Sequence, residues 1–74
     1  MEQTFSDQLR NKIAEQINTS PADIDPDAEL IDQGLDSFGL VEIIEWIIEQ
    51  GGEADFQTLA EDTRLTQWKK NITF

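Results

Sequence analysis

The chain has 74 residues, of which 16 are Asp or Glu and 5 are Lys or Arg, for a formal net charge of −11; it has no Cys, no His and no Tyr. This length allows one small domain that buries only about 60% of the surface its unfolded form exposes. No disulfide or thiolate metal site can staple it, so helix packing alone must supply a margin of about 3–5 kcal/mol. The acidic balance argues against nucleic acid, whose phosphates need basic patches, and against an anionic membrane surface.

The same charge favours protein partners with basic docking faces. The start, Met1-Glu2-Gln3-Thr4, lacks the basic and apolar regions of a signal peptide. No apolar run reaches the ~20 residues of a membrane span. A cytoplasmic monomer is expected. The Met1 start, without flanking linkers, leads to the expectation of a free-standing protein.

Phe5, Leu9, Ile13 and Ile17 recur at intervals of four, the stripe of an amphipathic helix. The spacing predicts a first helix over about 6–18, with Ser6 as N-cap, Asp7 in the first turn and Pro21 beyond its end. Residues 19–36 follow as a long connection, made a poor helix by Pro21, Pro26 and its aspartates. Its apolar anchors are Ile24, Leu30, Ile31 and Leu35, which predict a loop packed across the bundle.

The most apolar run, Phe38 to Ile48, predicts a second helix from Ser37 or Phe38 to about Gln50, stopped by Gly51-Gly52. At 100° per residue, Leu40, Ile43, Ile44 and Ile47 share its core face. Val41, Glu45 and Ile48 lie on the neighbouring side with Phe38 near them. Glu42 and Glu49 point away, and Trp46 flanks the core at the other edge. A short third helix is predicted over about 55–61, capped by Asp55 and carrying Phe56, Leu59 and Ala60. A fourth is predicted over about 64–72, with Thr63 as N-cap, Leu65, Trp68 and Ile72 inward, and Lys69 and Lys70 in its last turn. Trp46 and Trp68 are expected at the core or its edge. No strand pattern or repeat is present, so the fold class is all-α: a small four-helix bundle of three main helices and one short one.

Without His, Cys or Tyr the chain lacks the commonest general base, the thiol nucleophile and the usual zinc ligands. The acidic stretch from Asp23 to Asp32 lacks the alternating ligands, central Gly and terminal Glu of an EF-hand loop. Neither a catalytic nor a metal site is expected. What remains is Ser37, at the junction of a loop and a buried helix. Ser before an apolar helical run is a good N-cap, contributing about 1 kcal/mol. The same position also suits covalent attachment. A phosphodiester there would sit at the positive end of the helix dipole, near unpaired N–H groups. Gly34 permits a tight approach, Leu35 anchors the loop, and Asp36 places a carboxylate where it can help hold a magnesium ion during phosphoryl transfer. The residues by themselves leave both readings open.

Gly34-Leu35-Asp36-Ser37-Phe38 resembles the 4′-phosphopantetheine attachment motif of acyl and peptidyl carrier proteins. The resemblance covers nearly the whole chain. It implies that Ser37 carries the prosthetic arm, with Asp36 its motif neighbour. Downstream, Asp55-Phe56-Gln57-Thr58-Leu59-Ala60 followed by Thr63, Leu65 and Trp68 resembles the C-terminal half of aryl and peptidyl carrier domains of nonribosomal peptide and siderophore synthesis. That likeness implies a docking face of Val41, Phe56 and Ala60 with Phe38 beside them; the bland reading of Phe56 and Ala60 is core packing. The acidic rim nearest the serine adds Asp36, Glu42 and Glu45. Two departures stand out: Asp62 occupies a position where Pro is common, and Phe38 replaces the usual Leu, Val or Ile.

The resemblance implies a non-catalytic carrier. A phosphopantetheinyl transferase installs the arm, an adenylation enzyme loads an aryl, aminoacyl or peptidyl group as a thioester, and a condensation or tailoring enzyme receives it. Two alternatives stay open. One is an acyl carrier protein of fatty-acid or polyketide synthesis, against which the stretch from Asp55 to Trp68 tells. The other is an unmodified helical interaction module in which Ser37 is only a cap.

Overall fold

The computed structural model describes residues 4–73; Met1, Glu2 and Gln3, which lack the features of a signal peptide, lie outside the described residues, as does Phe74. Four α-helices follow one another: α1 (Phe5–Gln16), α2 (Ser37–Glu49), α3 (Phe56–Glu61) and α4 (Leu65–Asn71), with 3₁₀ turns at Pro21–Asp23 and Ile31–Gln33. Among the described residues there is no strand, only two isolated bridges that join Glu29 to Arg64 and Glu53 to Thr73. The all-α bundle matches the expected fold class. However, α4 has 7 residues against 6 in α3, so two helices are long and two are short.

The α1 stripe buries Leu9, Ile13 and Ala14, while Phe5 and Ile17 pack at the edge of the core. Its cap is Thr4, whose hydroxyl accepts the Asp7 N–H at 3.2 Å, and not Ser6, which lies inside the helix. The helix ends at Gln16, earlier than expected. Asn18 takes a positive φ of 54°, and the Thr19 N–H donates to the Ala14 carbonyl. Asn tolerates that conformation better than most side chains.

The connection 19–36 is packed down, as its anchors predict. Ile24, Leu30 and Leu35 are buried. Ile31 is the exception at 55% exposed, because its neighbour Leu30 occupies the inward position. Polar side chains tie the loop as well. The Arg10 guanidinium donates to the carbonyls of Pro21 and Ile24, and the Gln33 amide bonds the backbone of Asp25 and Ala28. Such bonds satisfy backbone groups that a loop leaves without ladder partners.

On α2, Leu40, Ile43, Ile44 and Ile47 are buried, the face predicted from the 3.6-residue period. Leu59 of α3 and Leu65 and Trp68 of α4 join them in one core. The Trp68 ring is fully buried and its indole N–H donates to the carbonyls of Leu59 (3.0 Å) and Asp62 (2.8 Å). That pair of bonds holds the turn between α3 and α4. Trp46 is half-buried and stacks on Phe5, with ring centroids 5.7 Å apart. No helix among the described residues is long and apolar enough to cross a membrane.

Candidate functional site

The site is built on the start of α2. Gly34 closes the preceding 3₁₀ turn with φ of 117°, a conformation that strains any residue with a Cβ. Its N–H donates to the Ile31 carbonyl, and Leu35, which follows, bonds Leu30 and enters the core. The chain then reaches Asp36 in an extended conformation. There the carboxylate accepts the Gly39 N–H at 2.8 Å, so Asp36 is the N-cap of α2.

This corrects the capping role that the sequence offers Ser37. Ser37 is the first residue of the helix, one position beyond the cap. Its side chain is exposed, and no hydrogen bond ties its hydroxyl to the described residues. The first N–H groups of a helix have no intrahelical partner and carry the positive end of the dipole. Asp36 satisfies that of Gly39, leaving those of Ser37 and Phe38 beside the hydroxyl. A phosphate ester on Ser37 Oγ fits this setting: the hydroxyl is accessible, and the adjacent helix end favours negative charge.

Gly39 is a positioning residue that sequence reasoning missed. It is buried, and a Cβ there would meet Leu35 Cδ1 at 2.8 Å and Gln16 Cβ and Asp36 Oδ1 at 3.4 Å each. Its missing side chain lets the start of α2 lie against the end of α1. A lone Gly in the first turn of a mainly apolar helix is the signal that marks it, since Gly there weakens a helix without such a reason.

The other expected site residues spread along α2 and α3. Phe38 is 84% exposed, Val41 41% and Phe56 45%. Glu42 and Glu45 are exposed on α2. Ala60 is half-buried and packs against the core, so it stands at the border between the surface and the interior. The Asp55 carboxylate caps α3 by accepting the Thr58 N–H and O–H, as predicted. An open groove of about 330 Å³ lies elsewhere, between α1 and Trp46, lined by Gln8, Asn11, Lys12 and Glu15, and it includes none of these residues.

Thr63 is not a helix cap. It is buried, and both its N–H and its hydroxyl donate to the Glu29 carboxylate across 34 positions of sequence. The last turn before α4 is held instead by Asp62, which occupies the position where Pro is common. Its carboxylate accepts the Arg64 N–H, Nε and guanidinium NH2. The Arg64 side-chain hydrogen bond holds the Asp62 carboxyl below its ordinary 3.8, against the opposing effect of desolvation.

Among curated proteins the chain is similar to an isochorismatase of Bacillus subtilis (strain 168), 35% identical over 65 residues, covering 88% of this chain and 21% of that protein. It is also similar to the phenyloxazoline synthase MbtB of Mycolicibacterium paratuberculosis (strain ATCC BAA-968 / K-10), 31% identical over 68 residues, covering 92% of this chain and 6% of that protein. The chain thus spans a small part of either relative. No solved structure is a significant match. The family described as "Phosphopantetheine attachment site" matches residues 7–70, which takes in all four helices except the first two residues of α1 and the last of α4. The chain belongs to that family, the carrier domains to which 4′-phosphopantetheine is covalently attached.

Proposed function

We propose that Ser37 Oγ is the attachment point of 4′-phosphopantetheine, and that the domain is a non-catalytic carrier for an aryl, aminoacyl or peptidyl group in nonribosomal peptide-type biosynthesis. One observation carries the assignment to Ser37. The residue that sequence offers as a cap is relieved of that task by Asp36, so its hydroxyl is exposed and uncommitted at a helix N-terminus. The attached arm supplies a terminal thiol, which holds a carboxylic acid as a thioester.

The chain's own residues have three tasks in this reading. Asp36 fixes the first turn, so that the Ser37 hydroxyl points outward from a rigid helix end. The Ser37 and Phe38 N–H groups favour the negative charge of the phosphodiester. The exposed apolar side chains of Phe38, Val41 and Phe56, with Ala60 at their edge, offer partner enzymes a patch beside the arm. Docking on a few such anchors suits brief, repeated encounters. Those partners are a phosphopantetheinyl transferase, an adenylation enzyme and a condensation or tailoring enzyme. The acidic rim of Asp36, Glu42 and Glu45 steers them. An aryl cargo is favoured by the phenyl group in the name of the synthase to which the chain is similar.

Intact mass tests the proposal. Incubation with a broad-specificity phosphopantetheinyl transferase and coenzyme A is expected to add one phosphopantetheine to the wild-type chain and none to Ser37→Ala. Label on Ser37→Ala, or none on the wild type, overturns it.

A further inference from the structure

The Glu29 carboxylate is half-buried and stands in the loop that leads to Ser37, while its bonding partner Thr63 lies beyond α3. Both donors of Thr63 end on one of its oxygens. Around that contact the loop and the α3–α4 junction are stitched together. The Leu30 N–H donates to the Thr63 carbonyl at 2.9 Å, the Ile31 N–H to the Thr63 hydroxyl at 3.4 Å, and the Thr66 N–H to the Pro26 carbonyl at 3.1 Å. From Leu30 the path continues directly, because the Leu35 N–H donates to the Leu30 carbonyl at 3.0 Å. Only Asp36 then separates Leu35 from Ser37. On the other side, Thr63 stands two residues beyond the end of α3.

From this we infer that the Glu29–Thr63 pair is a positioning pair: it fixes the Ser37 loop against the end of α3, so that the serine and the Phe56–Ala60 surface reach a partner enzyme in one arrangement. The inference rests on the proposed carrier function. The stitching has a direct alternative. If the carboxylate is lost, the loop keeps its apolar anchors and its backbone bonds to Thr63 and Thr66 but loses the side-chain contact that holds Thr63 against it. A binding-competent arrangement that is only fractionally populated weakens apparent affinity by that fraction. Once a partner has bound, the step itself is unaltered. The signature is therefore a raised KM for the carrier with kcat preserved. A residue that only stabilises the fold gives a lower melting temperature and no change in KM while the chain remains folded.

The experiment measures arm transfer by a phosphopantetheinyl transferase as a function of carrier concentration. Glu29→Ala and Thr63→Val remove the pair, and each is expected to raise KM roughly three- to tenfold with kcat within about twofold. Glu29→Gln and Thr63→Ser keep an acceptor and a hydroxyl in place and are expected to restore wild-type KM. The joint replacement of Glu29→Met and Thr63→Val leaves no unpaired carboxylate or hydroxyl and strands only the Thr63 and Ile31 N–H groups, which gives a second route to a folded variant if a single one fails to fold. Its KM is expected to rise no further than that of a folded single variant, as two residues acting as one unit require. Hydrogen exchange gives a readout independent of labelling: the Leu30 and Leu35 amides should exchange faster in any variant lacking the pair, with the Ile47 amide still protected. A folded variant lacking the pair with wild-type KM and wild-type exchange at Leu30 overturns the inference. Failure of the wild type to accept the arm strikes the carrier function instead, and leaves the exchange result to judge the pair.

Discussion

Ser37 and Thr63 look alike in sequence. Ser37 opens α2 ahead of Phe38, and Thr63 stands two residues before α4. Each has the form of an N-cap, and neither is one. At α2 the cap is Asp36, and Ser37 is left exposed. At α4 no side chain caps the helix, and Thr63 is buried against the Glu29 carboxylate. The difference teaches that a capping residue's fate is settled by what lies beyond its own helix. Ser37 has a better capper beside it and open solvent above it. Thr63 has a carboxylate brought to it from 34 positions away. One hydroxyl is available for chemistry, and the other is consumed by architecture.

The largest effect expected from this contrast is at Thr63. Thr63→Val keeps shape but leaves a partly buried carboxylate without its hydroxyl partner, at a cost of about 1–3 kcal/mol. For a chain of this size each kcal/mol lowers the thermal midpoint by roughly 4–8 °C, so circular dichroism melts should show a clear drop. An unchanged midpoint would mean that Thr63 is no more committed than Ser37. Next in size is the cap. Asp36→Ala should cost about 1 kcal/mol in urea unfolding, whereas Ser37→Ala should stay within about 0.5 kcal/mol of wild type. If the two variants lose stability equally, the capping role is shared and the contrast fails.

The smallest effect concerns the turn that holds Thr63 in place. The Asp62 carboxyl is lowered below its ordinary 3.8 by its hydrogen bond to Arg64. A depressed carboxylate contributes fully above its unfolded-state pKa and stops contributing as pH falls through its folded-state value. The stability difference between wild type and Asp62→Asn should therefore be complete at neutral pH. It should close on acidification from 3.8 downward through the lowered value. A difference that stays constant through that range would show that the pair adds nothing beyond the hydrogen bonds Asn retains.

Much of the fold is legible in the sequence because it is written in periodicity. Leu40, Ile43, Ile44 and Ile47 are inside, and Val41, Glu45 and Ile48 outside, as a 3.6-residue repeat requires. Helix starts were less legible. Thr4 in place of Ser6, and Asp36 in place of Ser37, are shifts between nearby residues of similar capping strength. Local propensity does not separate such neighbours; the turn that precedes each helix does. Ile31 failed as an anchor for a related reason, since adjacent apolar residues in a 3₁₀ turn cannot both point inward. The candidate serine was legible from its motif. The Glu29–Thr63 contact was not, because it joins distant segments and no pattern within either of them announces it.

The placement of the two tryptophans gives the molecule a built-in optical division of labour. Trp68 lies wholly inside, its indole N–H engaged by two carbonyls, so its emission reports the nonpolar interior and should redden when the bundle comes apart. Trp46 is partly open to water and faces Phe5 of the first helix, so a neutral collisional quencher can reach it in the folded state. With no Tyr in the chain, nothing else emits in the same range. A single unlabelled sample can therefore separate fraying of the first helix from loss of the whole core, one from each fluorophore.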